Sequence, residues 1–100
     1  MSTALADEGK LIPRSIPGDK GKYYLLESRR TGDVVKALHK RIGVDDTVWT
    51  RTETNCKTMH MREIGNSDES AIAIKPNPTK WFELVPGSSK GDLARLLCDK

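Results

Sequence analysis

The sequence predicts an α+β domain: a mainly antiparallel sheet of about five strands in a meander, packed on one face by one or two helices. Three observations predict it. Short runs rich in β-branched and aromatic residues recur along the chain, each closed by Gly, Pro, Asn or Asp. Two other stretches place their apolar residues at helical spacing, one mid-chain and one at the C-terminal end. The chain has 100 residues, 36% of them hydrophobic and 5% aromatic, which suits one small domain with a thin core.

Residues 1–21 hold two prolines and three glycines, and Leu11, Ile12 and Ile16 follow no period. They read as a disordered tail, with residues 22–100 forming the domain. Within the tail, Ala4-Leu5-Ala6 before Asp7 has the small-x-small form of a signal-peptidase site. A charged n-region and an apolar h-region do not accompany it. An export leader removed ahead of this segment and an ordinary alanine-rich start both fit the motif.

Residues 22–28, KYYLLES, read as the first strand. Thr31 then suits a helix N-cap, and Val34, Val35, Leu38 and Ile42 fall on one stripe, so residues 32–42 read as a helix. Lys40 and Arg41 lie at its C-terminal end, where the helix dipole favours cations. Gly43 and Val44 fit a C-terminal cap with its hydrophobic contact. The β-branched pair Val34-Val35 argues for a strand instead.

Four further strands follow: TVWTRT at 47–52, CKTMHMREI at 56–64, SAIAIK at 70–75 and KWFELV at 80–85. Pro86-Gly87 ends the last one. Ser89 and Asp92 have capping-box spacing, and Leu93, Leu96 and Leu97 make the stripe of a closing helix. Cys98 lies one turn beyond Ala94, at the edge of that stripe.

Net charge is +3, from 17 Lys and Arg against 14 Asp and Glu, and the two signs interleave along the chain. Such a surface argues against a dedicated nucleic-acid binder. The densest basic group is Arg29, Arg30, Lys36, Lys40 and Arg41. It reads as a solvated surface or as a site for an anionic partner. No apolar run is long enough to span a bilayer.

The chemistry-bearing residues are few. The potential metal ligands are Cys56, Cys98, His39 and His60. Cys56 and His60 would lie ~13 Å apart on one strand, too far to share an ion. No nucleophile elbow or phosphate-loop spacing occurs, so no catalytic residue, cofactor or metal is expected. Met59 and Met61 alternate toward a core, leaving Cys56, Thr58, His60, Arg62 and Ile64 on the opposite face. His60 and Arg62, with Lys40 and Arg41, are the candidate partner-binding residues. From composition, Cys56 and Cys98 are either a disulfide or two reduced, buried thiols.

The order Asn55-Cys56, Met61-Arg62, Trp81, Val85-Pro86-Gly87-Ser88 and Cys98 resembles the surface-adhesin protein E type of small exported bacterial domain. The resemblance covers residues 47–98 and does not support a helix at 32–42. It implies an exported α+β domain whose two cysteines are joined. The activity of that group is adhesive or unknown rather than catalytic, and adhesion does not carry over, because no motif here matches a binding loop. A Cys56–Cys98 bridge closes a loop for which the chain-entropy model gives about 4 kcal/mol. The expected function is therefore a non-enzymatic, periplasmic or secreted module. It would act as a monomer and either bind a protein or an envelope or extracellular component, or serve a structural role in the envelope. The alternative is a cytosolic nucleic-acid-binding domain using the basic residues of 29–41.

Overall fold

The computed structural model describes residues 9–15 and 21–98. They form an antiparallel sheet of six strands: β1 (Lys10–Leu11), β2 (Lys22–Thr31), β3 (Val34–Ile42), β4 (Thr47–Asn55), β5 (His60–Ser67) and β6 (Phe82–Glu83). Each strand pairs with its neighbour in sequence, so the sheet is a meander. One helix, α1 (Ser89–Cys98), follows. The α+β class holds, with six strands and a single helix. No helix among the described residues is long and apolar enough to cross a membrane.

The helix expected at 32–42 is strand β3. Val34, Leu38 and Ile42 are four apart, and a spacing of four keeps residues on one face of a helix or of a strand. The stripe alone therefore does not choose between them. The choice is made by Thr31-Gly32-Asp33-Val34. Thr31 pairs with Val34 across a two-residue loop. Gly32 takes φ 62°, the first loop position of a type II′ hairpin turn. Gly43 and Val44 accordingly form no helix cap. The Gly43 N–H donates to the Asp46 carbonyl in the β3–β4 turn, and Val44 is 81% exposed.

Other boundaries move as well. Residues 56–59 are the β4–β5 turn rather than strand. Asn55 organises it: its side-chain oxygen accepts from the N–H groups of Lys57 and Thr58, and its carbonyl accepts from Met59. Met59 sits at φ 57° and is exposed, so of the two methionines only Met61 enters the core. The strand expected at 70–75 is a turn. Ser70 Oγ accepts from the Ala73 N–H, a local bond that competes with pairing, and Ile72 is 96% exposed. Beyond Pro76, the N–H groups of Asn77 and Thr79 bond to the carbonyls of Ile64 and Glu63. The sixth strand is trimmed from the expected 80–85 to two residues.

The tail reading is corrected for residues 9–15. Lys10 and Leu11 pair with β2, the Ile12 N–H donates to Tyr23, and Ile12 is buried. Residues 1–8, including the signal-peptidase-like motif, and residues 16–20 lie outside the described residues.

The core lies between one sheet face and α1. Ile12, Tyr23, Val35, Ala37 and Met61 meet Leu93, Ala94 and Leu97 there. Ser88, rather than Ser89, is the helix N-cap: its Oγ accepts from the Gly91 N–H. Asp92 is therefore free of the capping role. Its carboxylate instead accepts from Arg14 Nε at 2.8 Å, Ser15 Oγ at 2.7 Å and the Ser15 N–H at 3.1 Å. These bonds strap the first strand to the helix.

Candidate functional site

Strand alternation divides the sheet into a face covered by α1 and an open face. On the covered face the register aligns Val35, Ala37 and His39 with Thr54, Thr52 and Thr50. This centre is unusually polar for a core. Nδ1 of His39 and the hydroxyls of Thr52 and Thr54 are buried with no hydrogen-bond partner among the described residues. Burial, aided by the nearby Lys90 ammonium and opposed by Glu63, lowers the His39 pKa from 6.5 to about 4. His39 is therefore a neutral core residue at ordinary pH. Lys90 pairs with Glu63 at 2.9 Å and ties the first turn of α1 to β5.

The two sulfurs are joined. Cys56, in the β4–β5 turn, and Cys98, the last residue of α1, form a disulfide with their Cα atoms 5.6 Å apart. The bond fixes the far end of the helix, while the strap from Arg14 and Ser15 to Asp92 holds its first turn. Burial works against the charged Asp92 carboxylate, yet the hydrogen bonds from Arg14 and Ser15 prevail and lower its pKa below the usual value. Among the described residues no cluster of His, Cys, Asp or Glu is placed to hold a metal ion.

The four candidate partner-binding residues do not converge. His60, Arg62 and Lys40 lie on the open face, but Arg41 is on the covered side and donates its Nε–H to the Tyr23 hydroxyl. Lys40 sits over the Tyr24 ring, 5.8 Å from its centroid. Arg62 sits over the Trp81 ring at 4.9 Å, with Nε and a terminal nitrogen both 2.8 Å from one oxygen of Glu53. The basic group at 29–41 is likewise split: Arg29, Lys36 and Lys40 face outward on the open side, and Arg30 and Arg41 fall on the other.

The open face instead gathers residues that sequence spacing does not group. Two β-bulges do this. A register shift between Leu25 and Glu27 turns Glu27 to lie opposite Leu38, and another between Arg51 and Thr52 sets Arg51 opposite Gly65. The result is a groove of about 350 Å³, with Leu38 and Ile64 among its apolar lining and charged residues from β2, β3 and β4 at its rim. Leu38 is only 3% exposed yet stands outside the helix-side core. Comparison of the chain with known protein families, curated proteins and solved structures finds no match.

Proposed function

We propose that this protein is a non-enzymatic, exported domain, periplasmic or secreted, that binds a partner through the open face of its sheet and works as a monomer. The observation that carries the reading is the Cys56–Cys98 disulfide. Such bonds persist in oxidising compartments and are rare where thiols are kept reduced. The resemblance to the surface-adhesin protein E type supports the same setting. The open face supports the binding role, because it holds charged side chains around an apolar groove that no helix among the described residues covers.

Nucleic-acid binding in the cytosol is the second reading. Arg29, Lys36 and Lys40 on one face favour it. Against it, two rings of that face, Tyr24 and Trp81, already carry Lys40 and Arg62.

Alkylation of the native protein at the moment of cell lysis, followed by fractionation, separates the two readings. The export reading expects both cysteines protected and the protein in the extracytoplasmic fraction. Quantitative labelling of both thiols in the cytosolic fraction contradicts it.

A further inference from the structure

Arg29 and Lys36 are directly opposed across β2 and β3 on the open face. Like charges in that position repel. Neither has an ion-pair partner among the described residues. The acid nearest in register to Lys36 is Glu53, and it bonds Arg62 instead through one oxygen. The repelling pair stands at the rim of the groove over Leu38 and Ile64. The same rim carries two carboxylates, Glu27 and Glu53. Glu27 is held only loosely, 3.7 Å from Arg51.

We propose that this groove binds an acidic glycan, with a uronate sugar seated over Ile64 and between Arg29 and Lys36. The inference rests on the proposed role of the open face in partner binding. Charge complementarity selects the occupant. The opposed cations call for an anionic group, and their repulsion falls when a carboxylate sits between them. The flanking carboxylates call for hydroxyl donors, which a pyranose ring supplies and a polyanion without hydroxyls does not. The apolar lining suits the C–H face of the ring. An acidic peptide offers carboxylates that Glu27 and Glu53 repel, and laid across the face it has no sheet edge to pair with. A nucleic acid finds its stacking surfaces at Tyr24 and Trp81 taken by cations. The volume, near the lower end of ligand pockets of about 300–1,000 Å³, fits one or two sugar units rather than a long chain segment.

The test titrates the oxidised protein with a hyaluronate tetrasaccharide, read by NMR shifts of the Leu38 and Ile64 methyl groups at physiological salt. A neutral chito-tetrasaccharide, polyglutamate and a single-stranded oligothymidylate serve as the other arms. Saturable shifts are expected with the uronate sugar, at least tenfold weaker binding with each other arm, and at least tenfold loss in R29Q/K36Q. Glu27→Lys decides between the glycan and a bare polyanion. Loss of the carboxylate weakens a hydroxyl-bearing ligand, whereas the added positive charge tightens a pure polyanion. The proposal is overturned by no saturable shift, by shifts confined to residues outside the groove, or by tighter binding in Glu27→Lys. Equal or tighter binding of polyglutamate or oligothymidylate at these methyl groups overturns the glycan and leaves partner binding by the open face standing. A flat response in every arm removes both.

Discussion

The two faces of the sheet are built on opposite principles. The covered face carries short side chains, Ala37 and the threonines 50, 52 and 54, and leaves polar atoms of His39, Thr52 and Thr54 buried with no hydrogen-bond partner among the described residues. A core of that kind stabilises weakly per residue, because unpaired buried polar groups are costly. It is reinforced by cross-links: a disulfide at one end of α1, the Arg14–Asp92 ion pair at the other, and Lys90–Glu63 at the flank. The open face carries long charged side chains, including an opposed cation pair with no ion-pair partner among the described residues. The difference teaches that stability in this fold is concentrated in a few ties to the helix. The opposed pair Arg29 and Lys36 is spare to it.

The contrast ranks the expected effects of substitution. Cys98→Ser is the largest. Opening a loop with a sequence separation of 42 removes about 4 kcal/mol in the chain-entropy model. Urea unfolding with and without reductant measures it: the parent loses that stability on reduction, and the variant does not respond.

The next effect is the pH dependence of His39. Its folded pKa, about 4, lies below the ordinary 6.5, so the unfolded chain binds the extra proton between those values. The stabilising difference is fully present above pH 6.5 and is lost as pH falls toward 4, by about 3 kcal/mol. A His39→Gln variant should show a flatter stability profile across that window. An unchanged slope places the titration elsewhere.

Arg14→Ala should cost ~2 kcal/mol, the scale of hydrogen bonds to a charged group, because Asp92 is 4% exposed and loses its cationic partner. Amide exchange at Leu11 and Ile12 should rise in the same variant, since the strap that holds them is cut. The Asp92 pKa is lowered in the folded state, so its contribution is present above 3.8 and is lost as pH falls through the folded value. Lys90→Ala, at a half-exposed ion pair, should cost ≤ ~1 kcal/mol.

The parts of this arrangement differ in how far the sequence shows them. Strands β2 and β4 and the closing helix announce themselves by β-branched and aromatic runs and by a leucine stripe bounded with Pro86-Gly87. The cysteine count alone leaves a disulfide and two reduced thiols both open; the Cys56–Cys98 bridge is legible only through what the resemblance over residues 47–98 implies. Strand β3 was misread, since the spacing of Val34, Leu38 and Ile42 serves both structures and the deciding signal was the local turn at Gly32. Strand β1 is too short to carry a period. Its place depends on Tyr23 and Asp92, the latter 78 positions from Arg14. The groove is the least readable feature. Glu27, Leu38 and Arg51 align only through register across three strands, and a bulge sets which way Glu27 points. Arg41, grouped with Lys40 by sequence, falls on the opposite face because adjacent strand residues alternate.

Arg29 and Lys36 do not hold the fold together. The most direct test is the unfolding free energy of R29Q/K36Q against the parent, at low and at physiological salt. The account predicts equal or higher stability in the variant, by up to about 1 kcal/mol, with the larger gain at low salt where the repulsion between the opposed cations is least screened. A loss of more than about 1 kcal/mol, in the range of a broken structural contact, contradicts it and makes Arg29 and Lys36 part of the scaffold.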